Sequence, residues 1–184
     1  MHTQKFTIRD LAMTGLLAAL VFAGCHIQIP TPAVIGITRF HLGGTMVLLS
    51  GFLLGPVKGG LAAGIGCALF GLTSPFITLI PFTFIWRFSQ AFVCGKIAWA
   101  GGASAKCWRR NIIAGICGAV LYVILFLSQE FVRGYFIHGH AIETVLLDIS
   151  TKSVTSGVNA VIAVAGSVPL AAALRASLRG GLRP

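Results

Sequence analysis

The chain has 184 residues, 56% of them hydrophobic and only 10% charged, where a soluble domain carries roughly 25% charged. Its 14 Lys and Arg and 4 Asp and Glu are too few to cover a water-exposed surface, so a soluble fold is excluded and the remaining solvent is lipid. The +10 net charge falls singly or in small groups between apolar runs rather than as a patch, which argues against a nucleic-acid partner.

A bilayer crossing takes about 20 apolar residues, so the length admits about six spans and no separate ATPase or kinase module. Charge-free runs cover 11–38, 40–57, 59–86, 111–129 and 153–174, and Thr73-Ser74-Pro75 breaks the third of them. The expectation is an all-α integral membrane protein, a single membrane domain over 1–184. Its helices are placed near 8–27, 42–55, 58–73, 79–100, 110–137 and 152–178. With the N-terminus cytoplasmic, Lys5, Arg9, Lys58, Lys96, Lys106, Arg109, Arg110, Arg175, Arg179 and Arg183 fall inside, and only Arg39, Arg133 and Lys152 outside. That asymmetry predicts an N-in and C-in six-transmembrane-helix bundle, with Trp99 and Trp108 at the inner boundary.

Along the first helix, Gly15, Ala19 and Ala23 recur at intervals of four and form a small-residue stripe. Such a stripe lets two backbones approach, either inside the bundle or against a partner subunit. Residues 16–25 behind Lys5 and Arg9 also have the form of a bacterial lipoprotein signal with Gly24-Cys25 as its processing site, but cleavage there leaves an odd number of spans. The outer segment about 27–41 is too apolar for an ordinary solvated loop, and Pro30 and Pro32 hold it extended. It reads as a lid over the bundle mouth or as a loop in the headgroups, ending in Arg39 and His41.

Arg87 lies within the fourth helix, where a charged side chain costs about 2.5 to 3.5 kcal/mol on insertion scales. It should face a polar cavity with Gln90 one turn deeper, or pair with Glu130 and tie two helices together. Lys152, Ser156 and Asn159 share one face of the sixth helix. With Arg87 and Gln90 they would surround an outward-opening pocket of cationic and amide donors, suited to a carboxylate, phosphate or carbonyl-rich ligand; Ser156 and Asn159 serve equally as interhelical glue. His138-Gly139-His140 invites a metal reading, but two ligands in a loop make no site, and no cofactor is expected. The five cysteines follow no metal spacing and read as soft packing residues. No catalytic motif is present in the sequence.

The block Phe40 to Leu72, with Leu53-Leu54-Gly55-Pro56 and Gly59 at its centre, and Pro81-Phe82-Thr83-Phe84-Ile85-Trp86-Arg87 beyond it, resembles the substrate-binding S components of bacterial energy-coupling factor (ECF) vitamin transporters. The riboflavin-type group is the nearest in pattern. The resemblance implies a six-helix, non-enzymatic subunit of the bacterial cytoplasmic membrane that captures a vitamin-like small molecule beneath the first loop. It further implies partnership with a transmembrane coupling (T) subunit and two cytoplasmic ATPases, and toppling in the membrane to release the ligand inside. In related S components a small-residue motif on helix one docks the coupling subunit, and Gly15 and Ala19 match it, with Ala23 continuing the stripe.

Three positions depart from the group: Gly44 and Gly71 replace acids, and Arg87 stands where Lys is usual. These changes make the pocket more electropositive and point to an anionic or carbonyl-rich ligand. The candidate substrate-binding residues are Arg39, His41, Arg87, Gln90, Glu130, Lys152, Ser156 and Asn159. The alternatives are a carrier or channel that works alone, a haem- or metal-binding S component, and an intramembrane enzyme.

Overall fold

The computed structural model describes residues 7–74, 77–100 and 107–180, with side chains described up to 176. Lys5, Lys106 and Arg183, the Arg179 side chain and Pro75, all used in the sequence reading, lie outside the described residues.

Among the described residues the fold has six α-helices and one hairpin: α1 (Ile8–His26), β1 (Gln28–Pro32), β2 (Ile37–His41), α2 (Gly43–Leu54), α3 (Pro56–Leu72), α4 (Ile80–Ala98), α5 (Trp108–Val132) and α6 (Ile142–Gly180). The helical segments Ile8–His26, Ile77–Ala98, Trp108–Ile137 and Ile142–Ala176 are long and apolar enough to cross a membrane. The chain is a multi-pass membrane protein with several apolar helices. The expected six crossings reduce to four by this measure, because α2 and α3 have only 12 and 17 residues. At about 1.5 Å per residue neither reaches the roughly 30 Å of a hydrocarbon core. The junction explains their shortness. Gly55 adopts φ 80° and Pro56 opens α3, so one helix ends where the next begins.

Close helix contacts are built from small residues. A Cβ placed on Gly66 of α3 would collide with the Ala18 carbonyl oxygen of α1 and lie 2.8 Å from Val21 Cβ. On the same pair of helices, Asp10 and Lys58 form a 2.7 Å ion pair. The stripe Gly15, Ala19 and Ala23 faces the other way. It is exposed, opposite the buried Thr14, Leu17, Ala18, Val21 and Gly24, so packing inside the bundle is not its role in this structure. Within the bundle α2 is almost entirely enclosed, with Val47, Leu48, Leu49 and Phe52 fully buried. Its last carbonyls have no helical successor. The Phe52 carbonyl accepts instead from Trp99 Nε1 at 2.9 Å and from the Arg175 guanidinium. Cys25, Cys67 and Cys94 are buried packing residues, whereas Cys107 and Cys117 are exposed and do not fit that expectation.

Several boundaries differ from the sequence reading. The segment expected as an extended loop is an antiparallel hairpin in which Gln28 pairs with His41 and Pro32 with Ile37. The sixth helix starts at Ile142 rather than near 152, since Asp148 is held inside the helix by Lys152 one turn later instead of ending it. The regular fifth helix stops at Val132 and widens into a π-turn over Arg133–Ile137.

The α1–α3 contact leads to a contrast between two glycines. Gly66→Ala should lower the thermal midpoint of the detergent-solubilised protein by several degrees, since overpacking costs about 1 to 3 kcal/mol. Gly15→Ala, with no atom within 4 Å of its added Cβ, should leave the midpoint unchanged.

Candidate functional site

Beneath the hairpin the helices enclose a cavity of about 240 Å³. Each element contributes through its local periodicity. Arg87 and Gln90 are three apart on α4 and share a face; Tyr122, Phe126, Gln129 and Glu130 follow one another up a single face of α5. Lys152, Ser156 and Asn159 do the same on α6, while β2 supplies Arg39 and His41. The structure thus brings together, on one cavity, all eight residues named from the sequence as a substrate-binding set. The positions Gly44 and Gly71 line it as well.

Arg87 is the centre of the arrangement. It is 5% exposed, its Nη1 donates to Gln90 Oε1 at 2.9 Å, and its Nη2 donates to the Tyr122 hydroxyl at 2.9 Å and to His41 Nε2 at 3.3 Å. Its Cζ lies 3.7 Å from the centroid of the Tyr122 ring. Every one of these partners is neutral. Among the described residues no carboxylate pairs with Arg87. The alternative Arg87–Glu130 pair is therefore not formed. Glu130 Oε2 accepts instead from Lys152 at 2.5 Å and from Arg133 at 3.0 Å, because the α6 stripe, one turn from Asp148, reaches it first.

Because Nε2 accepts from Arg87, the His41 ring keeps its proton on Nδ1, which is buried without a partner. Burial, reinforced by the Arg87 and Arg39 guanidiniums, lowers the His41 pKa from its usual value to about 3, so the ring is neutral. The Gln129 Nε2 is a second buried donor without a partner. The cavity wall thus carries two buried donors without partners and a guanidinium whose partners are all neutral.

Tyr122, Gln129 and Asp148 are absent from the sequence-derived set. The first two stand on the same face as Glu130, and that spacing, read upward from Glu130, is the signal that finds them. Asn159 turns out to bond the hairpin backbone, accepting from the His41 amide at 3.2 Å and donating to the Arg39 carbonyl at 2.8 Å. No group of three or more His, Cys, Asp or Glu side chains is placed to hold a metal among the described residues, and His138 and His140 stand exposed with ring centroids 5.8 Å apart.

No curated protein sequence matches the chain. A family model described as ECF-type riboflavin transporter, S component, matches residues 5–176. With a match over nearly its whole length, the chain belongs to the S-component family of ECF-type riboflavin transporters, the non-catalytic subunits that serve riboflavin-type vitamin uptake.

Proposed function

We propose that the protein captures an anionic or carbonyl-rich vitamin from outside and that the anionic group sits against Arg87. A buried guanidinium whose partners among the described residues are the neutral Gln90, Tyr122 and His41 supports this reading more than any other single observation. Leaving a charge buried without a counter-ion is costly, and an arriving carboxylate or phosphate removes that cost. Glycine at 44 and 71, on the cavity wall, supplies no acid to do so. The bundle crosses the bacterial cytoplasmic membrane six times with both termini inside, the enclosed α2 and the partly exposed α3 completing the count as short spans. Its hairpin is the lid, and the cavity residues Arg39, His41, Gln90, Glu130, Lys152, Ser156 and Asn159 shape the rest of the site. Having no nucleotide motif, the chain depends on a T subunit and two cytoplasmic ATPases, the partners with which ECF S components work. The exposed stripe Gly15, Ala19 and Ala23 is the docking face for the coupling subunit, since none of the described residues covers it.

Thermal-shift measurements on the purified protein test the ligand class, using riboflavin, riboflavin 5′-phosphate and carboxylate-bearing vitamins as probes. At about 100 times its Kd, the correct class should raise the midpoint by about 5 to 10 °C. A larger shift with a cationic, thiamine-like probe than with any anionic or carbonyl-rich one overturns the reading. Arg87→Gln should weaken binding of the retained anion at least tenfold, as expected for a lost charge-assisted contact. Gly15→Trp should keep the Kd within about twofold while blocking ATP-driven uptake by the assembled transporter; loss of binding as well makes the stripe internal packing. With the His41 pKa held at about 3, the ring does not titrate from pH 8 down to pH 6, and affinity for a carboxylate-bearing vitamin, which stays ionised over that range, should stay flat in a pH-resolved titration.

A further inference from the structure

The hairpin is tied to α6 at both ends. At its base Asn159 grips the backbone of β2 on both sides, through His41 and Arg39. At its turn, where Gly36 takes φ 79°, the Ile35 amide donates to Asp148 Oδ1 at 2.8 Å. Asp148 precedes Asn159 by about three helical turns, so both stand on the stripe that carries Lys152 and Ser156. The helix rises about 16 Å between them, close to the roughly 20 Å of extended chain from Ile35 to His41, and the hairpin lies along the stripe.

The two ties differ in chemistry. Asn159 offers neutral bonds to a strand that continues directly into α2. Asp148 is 3% exposed and divides its carboxylate: Oδ1 takes the lid amide, and Oδ2 takes Lys152 Nζ at 2.7 Å. Lys152 continues to Glu130, and Glu130 to Arg133. Two acids and two bases therefore balance in one cluster at the mouth, and Arg87 is not among them.

We infer that Asp148 is the catch of the lid: a positioning residue that holds the hairpin turn closed over the cavity, with Lys152 holding its carboxylate in place. The inference rests on the capture reading above and refines it, because Lys152 becomes a strut of the catch while Arg87 meets the ligand. Opening the turn breaks one charge-assisted bond at Asp148 and leaves the Asn159 end anchored. Loss of such a bond should raise the open population about tenfold or more.

The test needs no ligand. Thr38 lies on β2, is buried and lines the cavity, so Thr38→Cys reports lid opening through its rate of labelling by a water-soluble maleimide. The exposed Cys107 and Cys117 are replaced by Ser, and the fully buried Cys94 serves as the folding control, each site being read by mass spectrometry. Asp148→Ala should speed labelling at position 38 about tenfold or more with Cys94 still protected; an unchanged rate overturns the inference. If Cys94 labels too, the alanine variant has unfolded and Asp148→Asn decides. That variant keeps an acceptor for the Ile35 amide but not the charge facing Lys152. A rise of about threefold with Cys94 protected supports the catch, and no rise overturns it. A second arm repeats the labelling with riboflavin 5′-phosphate and the carboxylate vitamins: absence of protection by every probe counts against the capture reading, while the Asp148 effect in the first arm still stands.

Discussion

A permanent cation buried among apolar helices imposes its solvation requirements on everything around it. Arg87 cannot lose its proton and, at 5% exposure, has little water, so the fold supplies dipoles from three directions. Gln90 comes from its own helix, Tyr122 from α5 and His41 from the hairpin. Each bond is modest, but together they fix the relative placement of two long helices and the segment that covers them. The cavity is what remains between these fixed points. Because the solvation comes from neutral groups, the guanidinium keeps its full charge for whatever enters.

A second electrostatic unit lies nearer the mouth and follows the opposite rule. Glu130, Asp148, Lys152 and Arg133 neutralise one another in a chain of short ion pairs. Buried pairs of this kind contribute little net stability, because desolvation offsets much of the attraction. The site is thus divided by charge balance: a neutral, internally bonded cluster on the lid side, and an unbalanced cation on the inner side. A ligand that had to separate the mouth cluster would do so at the expense of those pairs, whereas one that approaches Arg87 relieves an existing imbalance.

The sequence carried more of the site than of the helix ends. Intramembrane Arg and Gln one turn apart, and the Lys-Ser-Asn stripe, are conspicuous because polar residues are rare there, and their shared cavity follows from helical periodicity alone. Two things were hidden. Charge was read as a signal that a helix stops, yet Asp148 and Lys152 cancel within α6 and let it extend back to Ile142. The hairpin was also illegible, since its prolines announce extended chain but not a partner strand, and the pairing of Gln28 with His41 depends on tertiary placement. Arg87 and Glu130 illustrate the same limit. Opposite signs suggested a pair, but which acid meets which base is decided by helix rotation, a property no single helix encodes.

The shortness of α3 has a consequence for the lipid around the protein. Its 17 residues rise about 26 Å, while α5 and α6 exceed the hydrocarbon thickness comfortably. By helix length alone, the apolar height offered at α3 is smaller than that offered at α5 and α6. Unequal mismatch of this kind is relieved by tilting the body or by thinning the bilayer locally. The break at Gly55-Pro56, by keeping α3 short, sets how large that inequality is.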